Sequence, residues 1–198
     1  MGTANTITSW ATSVNLGFVY ALKDTGDGTP RYKARLVYKN HPFINTSTWD
    51  EVFSPVVNKD TIRLFFTIVG RGKMFLKQGD VVTAYLNADM DEPVYIKLPK
   101  ICGDEEGFVR VLWKALYGHP KAGQLWNNTF VNTMTELGFT QSSQDRCFFI
   151  HIGKSIYLVL YVDDVLAACK NKAVLERFWR KLCSTYSCLL YTSDAADE

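Results

Sequence analysis

Three aspartates carry the chemistry that can be argued from this sequence. Asp163 and Asp164 stand side by side within Ser155 to Cys169, SIYLVLYVDDVLAAC. A run of aliphatic, β-branched and aromatic residues leads into the pair, and a second apolar run leaves it. Runs of this length and composition read as buried strands. The pair then belongs at the tight turn of a hairpin, reaching solvent while the strands bury their flanks. Two like charges in an apolar setting are costly unless a cation neutralises them; an ordinary Asp-rich turn is the plain alternative. Asp80 ends an earlier stretch of strand character, Met74 to Val82. Three carboxylates converging from two neighbouring strands would form a hard, oxygen-rich site, suited to Mg²⁺ or Mn²⁺ over Zn²⁺. Two such ions about 3.5–4 Å apart can activate a 3′-hydroxyl, brace a transferring phosphoryl group and stabilise departing pyrophosphate.

A second constellation is basic. In Arg31-Tyr32-Lys33-Ala34-Arg35-Leu36-Val37, strict alternation puts Arg31, Lys33 and Arg35 on one face of a strand. Charges about 7 Å apart on such a face suit a phosphate-bearing ligand. Three cations on one strand face are most often just a solvated surface, and the phosphate-binding face is the sharper reading. The histidines His41, His119 and His151 are scattered and make no metal-ligand pattern, so each is read as structural.

The elements that must position these residues follow from turn and cap signals. Leu16 to Lys23 reads as a strand, and Asp24 to Pro30 (DTGDGTP) as a turn. Residues 40–59 are loop-like. Asp60 can cap a helix over Thr61 to Val69, ended by Gly70. Thr83 to Met90 is a short helix or turn. Tyr95 to Leu98 and Gly107 to Trp113 are strands around the polar loop Gly103 to Glu106. Gly118 and Pro120 open a long helix to Leu137, closed by Gly138. Cys147 to Ile152 is a strand, Gly153-Lys154 a turn, and Asn171 caps a last amphipathic helix through about Tyr186. Strands and helices mix without βαβα regularity, which predicts an α+β fold with an antiparallel sheet backed by helices.

Composition sets outer bounds. The chain has 198 residues, 47% apolar and 21% charged, with a net charge of +2. That is ordinary for a globular protein with a real core, and mildly compatible with nucleic acid. No apolar run approaches the roughly 18–20 residues of a membrane span, and no signal-peptide pattern is present, so no membrane partner is expected. Five cysteines without C-x-x-C spacing suit a reducing, intracellular setting.

Taken together, the motifs resemble the reverse transcriptase region of copia-type LTR retrotransposon Pol polyproteins. The matching stretches are Arg31 to Val37, Phe53-Ser54-Pro55-Val56-Val57, Asp60-Thr61-Ile62-Arg63, Gly79 to Asn87 (GDVVTAYLN), Lys114-Ala115-Leu116-Tyr117-Gly118, and Tyr161-Val162-Asp163-Asp164. They occur in family order over roughly Phe18 to Ser187. The resemblance implies a right-hand polymerase fingers and palm performing RNA-directed DNA synthesis with two Mg²⁺ (or Mn²⁺) ions. Asp80, Asp163 and Asp164 would be the catalytic, metal-binding acids, with Asp80 and Asp163 the surer direct ligands. Lys33 and Arg35 would contact the incoming triphosphate. Tyr85 would lie under the sugar and exclude a 2′-hydroxyl, although a core aromatic fits that position as well.

Two departures stand out. His119-Pro120-Lys121-Ala122-Gly123-Gln124 replaces the family's usual Leu-Lys-Gln-Ala-Pro-Arg, so Lys121 stands where a nucleotide-contacting glutamine is expected. Lysine can reach a phosphate but cannot supply an amide's paired donor and acceptor. Gly79 replaces a usual leucine beside Asp80, which is expected to loosen that strand.

The implied partners are a primed RNA or DNA template and deoxynucleoside triphosphates, with RNase H, integrase and protease elsewhere in a parent polyprotein. The implied setting is intracellular, in a cytoplasmic particle. Residues 1–17 are read as a poorly ordered lead-in and 18–187 as a fingers/palm fragment. Residues 188–198, CLLYTSDAADE, break the pattern and back-translate into a transposase adapter used in sequencing libraries, so they are read as a non-native tail. The fragment alone is expected to be weak or inactive. An inactive relic that at most keeps a nucleic-acid-binding palm is the alternative. A metal-dependent phosphohydrolase would leave the basic strand and the motif order unexplained.

Overall fold

The computed structural model describes residues 13–24, 29–39, 53–103 and 108–191. Most of the expected lead-in, the centre of the Asp24–Pro30 turn, residues 40–52, most of the polar loop after Gly103 and residues 192–198 lie outside them. In chain order the strands are β1 (Val14–Asp24), β2 (Pro30–Tyr38), β3 (Phe75–Val81), β4 (Asp89–Lys97) and β5 (Arg110–Lys114). They continue with β6 (Thr140–Gln141), β7 (Phe148–His151), β8 (Ile156–Tyr161), β9 (Asp164–Cys169) and β10 (Cys188–Tyr191). The helices are α1 (Lys59–Gly72), α2 (Ala122–Glu136) and α3 (Lys172–Thr185). The chain divides into two compact units, Met1–Phe53 with Ala88–Leu125, and Ser54–Asn87 with Trp126–Glu198.

The first unit is a four-stranded sheet in the order β2-β1-β4-β5. β1 and β2 form an antiparallel hairpin whose register runs from Leu16↔Tyr38 to Asp24↔Pro30. Val14, Leu16, Tyr38, Ile96 and Leu116 make its core, with Leu36, Val94, Leu98 and Leu112 packed against them. Burial of Val14 in that core starts β1 two residues before the expected Leu16. β4 likewise starts at Asp89 rather than Tyr95. Its acidic first half has no strand signature, and its register against β5 shifts between Asp89 and Val94.

Gly118 is held by the end of β2. Its φ is +89°, and a Cβ there would stand 2.4 Å from the Tyr38 carbonyl oxygen. The Tyr38 N–H in turn donates to the Tyr117 carbonyl at 2.8 Å. Only glycine combines that dihedral with that approach.

The second unit is a six-stranded sheet, antiparallel throughout, in the order β10-β3-β9-β8-β7-β6. This is the helix-backed antiparallel sheet expected from the pattern. α2 and α3 cover one face: Phe130 meets Phe149 at 5.8 Å, and Lys77 on β3 pairs with Glu176 on α3 at 2.9 Å. Val165, Ala167, Leu158 and Leu160 are almost wholly buried, as the apolar runs around the aspartates require. β6 is a two-residue strand with too little sequence to announce itself.

Helix ends differ from expectation in an instructive way. The N-cap of α1 is Asn58, whose side chain accepts from the Asp60 N–H, so Asp60 lies in the first turn instead. The Asn58 N–H donates to Asp145 at 2.9 Å, and the other oxygen of that carboxylate accepts from the Cys147 N–H at 2.9 Å. Gly70 stays inside the helix, and Lys73, at φ 46°, makes the left-handed exit. Asn171 caps α3 as expected, accepting from the Val174 N–H. Among the described residues no helix is long and apolar enough to cross a membrane.

Candidate active site

The site grows from one antiparallel register. β3 and β9 pair from Phe75↔Cys169 to Asp80↔Asp164. Directly opposed residues share a face of the sheet, so Asp80 and Asp164 stand together at the end of the pair. Asp163 lies in the turn from β8 to β9, and its carbonyl accepts the Val81 N–H at 2.8 Å. Sequence-distant acids thus reach one sheet end because two apolar strands pair in a single register.

The turn that carries Asp163 is strained and anchored. Val162 has φ +57°, a left-handed conformation that a β-branched residue adopts only when its surroundings impose it. The Trp126 indole N–H donates to the Val162 carbonyl at 2.6 Å, and Trp126 itself is fully buried. It sits on α2 among Phe130 and Tyr186, with ring centroids 5.6 and 5.3 Å away. Trp126 is the residue that reading the sequence missed. It lies 36 positions before the turn, and no local pattern links the two.

Tyr85 follows β3 in a short 3-10 turn, Ala84–Asn87. The Asn87 amide closes it by donating to the carbonyls of Val82, Thr83 and Ala84 at 3.2–3.4 Å. Burial, and then the charge of Asp163, push the Tyr85 phenol above its ordinary range. Tyr85 is therefore within electrostatic reach of the turn aspartate. Gln78, one pleat before Asp80, donates to Asp164 Oδ1 at 3.2 Å. This second missed contact engages one oxygen of that carboxylate.

Gly79 does not leave a void. A Cβ there would come within 2.7 Å of the Trp179 ring and 2.9 Å of Leu190. The space of the family's usual leucine is filled from α3 and β10. On the far side of β3, Cys188–Tyr191 runs as an edge strand with Leu189 opposite Asp80.

The remaining predicted residues belong to the first unit. The hairpin register places Lys23 opposite Arg31, Ala21 opposite Lys33 and Val19 opposite Arg35. Lys39 lies over Gly17 on the same face. The cationic face is thus richer than the three residues of β2, and pairing across the turn was the signal that could have shown it. The Arg35 guanidinium stands 5.8 Å from the centre of the Tyr117 ring. Lys121 is largely buried and bonds Glu92 at 3.0 Å and Asp91 at 3.3 Å. The Glu92 hydrogen bond is the main cause raising its pKa.

Among the described residues no three His, Cys, Asp or Glu side chains are already gathered as a metal cage. The donor chemistry nonetheless fits a hard divalent cation: opposed carboxylates on the adjacent strands β3 and β9, a third in the turn from β8 to β9, and no sulfur or imidazole among the three.

Residues 8–195 match the family described as reverse transcriptase (RNA-dependent DNA polymerase). The chain belongs to the reverse transcriptase family. It is 34% identical over 81% of its length to the Retrovirus-related Pol polyprotein from transposon TNT 1-94 of Nicotiana tabacum. Over 90% of its length it is 32% identical to the Retrovirus-related Pol polyprotein from transposon RE1 of Arabidopsis thaliana. The copia-type resemblance is thereby borne out. This reverse transcriptase chain spans only 12% and 13% of those two polyproteins. Reverse transcriptases as a family use divalent metals, in keeping with the acid set at the end of β3 and β9.

Proposed function

We propose that this chain is the catalytic fingers/palm portion of a retrotransposon RNA-directed DNA polymerase, adding deoxynucleotides to a primer 3′-hydroxyl. The observation that carries the reading is the register that opposes Asp80 and Asp164 beside the anchored Asp163 turn, in a chain of this family. Asp80 and Asp163 are the direct ligands for two Mg²⁺ or Mn²⁺ ions. Asp164, with one oxygen held by Gln78, tunes the site. Bound divalent ions would activate the primer hydroxyl and neutralise the transferring phosphoryl group and pyrophosphate. The chain's own part is to hold the acids at fixed spacing and to orient the nucleotide.

Lys33 and Arg35 take the triphosphate. Tyr85, beside Asp163, lies under the sugar and rejects a 2′-hydroxyl. A phosphate contact from Lys121 would require its release from Asp91 and Glu92, so we assign it a minor share. The template is primed RNA or DNA held mainly through its backbone, which makes binding salt-sensitive. RNase H, integrase and protease belong elsewhere in the parent polyprotein, and the setting is an intracellular particle. We read residues 18–187 as the fingers/palm fragment and 188–198 as adapter-derived.

The test joins metal binding to synthesis. Mn²⁺ titration of this chain is expected to show binding that Asp163→Asn weakens by roughly tenfold or more. In a chain continued from the source locus beyond Ser187, the same substitution is expected to abolish primer extension and leave template binding nearly unchanged. Extension that survives Asp163→Asn would refute the assignment. The relic reading draws on the Lys121 departure; stop codons or frameshifts just downstream in the source locus would establish it.

A further inference from the structure

Away from the aspartates, the second unit contains a cavity of about 390 Å³ where the end of α2, the β7–β8 turn and α3 meet. Its apolar lining includes Leu137, Phe139, Ile156, Val174 and Phe178. Lys154, Arg177 and Lys181 also line it, all three are exposed, and none forms an ion pair among the described residues. Among the described residues no carboxylate lines the cavity. His151 is there too, with its Nδ1 buried and without a hydrogen-bond partner among the described residues. Burial, and then the Lys154 charge, lower its pKa below the ordinary imidazole value. A cluster of unpaired cations around an apolar cleft raises the local potential and favours an anionic occupant.

We propose that this cleft is a docking site for an acidic amphipathic segment of a protein partner. An apolar anchor side chain fills the floor, and flanking carboxylates reach the rim. The spacing of the cations argues for a peptide over a lone carboxylate. Arg177 and Lys181 lie one helical turn apart, about 6 Å along the axis, and Lys154 stands on a different element. Together they serve several carboxylates at once. Single-stranded nucleic acid is the weaker match, because it binds largely by stacking bases on open ring faces. Here Phe139 packs against both Phe178 and His151, with centroids 5.3 Å apart in each case. The inference stands independently of polymerase activity.

The test is fluorescence anisotropy on the 198-residue chain with three labelled probes. One is a helical peptide with two leucines a turn apart flanked by glutamates; the second has lysines for the glutamates; the third is oligothymidylate. The acidic peptide is expected to bind, and the lysine peptide is not. The double substitution Arg177→Glu and Lys181→Glu, both at exposed positions, is expected to weaken the acidic peptide by roughly tenfold or more with an unchanged melting temperature. Val174→Trp, which fills the floor and keeps every charge, is expected to weaken it similarly. The proposal is overturned if the acidic peptide does not bind, or if it binds both variants as well as the parent. Displacement of the acidic peptide by oligothymidylate would also overturn it, by assigning the face to nucleic acid.

Discussion

Asp163 is held by residues that have no chemistry of their own. Val162 carries the positive φ, and the Trp126 indole fixes its carbonyl from α2. A β-branched residue in the left-handed region costs on the order of 1–2 kcal/mol, and a buried hydrogen bond contributes about 1 kcal/mol. The anchor and the strain should therefore be coupled. Trp126→Phe is expected to destabilise the chain by about 1–3 kcal/mol in urea denaturation. Adding Val162→Gly, which removes the dihedral strain, should recover part of that loss through a coupling of at least roughly 0.5 kcal/mol. Strictly additive costs would mean that the indole does not hold the turn. Lys121 shows the opposite case: its type suggested a phosphate contact, yet its ammonium is engaged by Asp91 and Glu92.

At the scale of elements, the pairing of β3 with β9 and the cover of α3 over both decide where Asp80 stands. Gly79 is the contact point, because its missing side chain admits the edge of the Trp179 ring. The expected loosening of this strand is offset by that packing and by the Lys77–Glu176 pair between β3 and α3. Gly79→Ala is expected to cost about 1–3 kcal/mol, since the rigid indole cannot yield as a flexible chain end would. Thermal melts followed by tryptophan fluorescence measure it. A neutral or stabilising effect would show that α3 can shift away from β3 without cost.

For the whole molecule, several buried acids with neutral ground states set an alkaline limit to stability. Burial, reinforced by Asp145, pushes the Cys147 thiol up to about 12. Burial likewise raises Cys188 and the phenols of Tyr38, Tyr85 and Tyr186. Each group ionises more easily in the unfolded chain than in the folded one. Their stabilisation is therefore complete below the unfolded pKa values and is lost as pH rises through and above them. Urea denaturation is expected to show stability level near neutrality and falling from about pH 9 upward, by at most about 1.4 kcal/mol per pH unit for each such group. Cys147→Ala should flatten that limb. A curve as steep as the parent's would mean that the Cys147 thiol is not the group responsible.

Local composition made much of this protein legible. The apolar runs around Asp163 and Asp164, the alternation of Arg31, Lys33 and Arg35, and the Asn171 cap each depend on neighbours within a turn or a pleat. Such short-range rules are written in the chain itself. The order of the family motifs likewise carried the reverse transcriptase assignment. What only the tertiary structure decided are the pairings between distant segments. These include the register of Asp80 against Asp164, the Trp126 hold on Val162, the Trp179 ring over Gly79, and the ion pairs that occupy Lys121. Each is a compromise among many weak contacts of low sequence locality, where core packing selects the partner and no single residue type announces it.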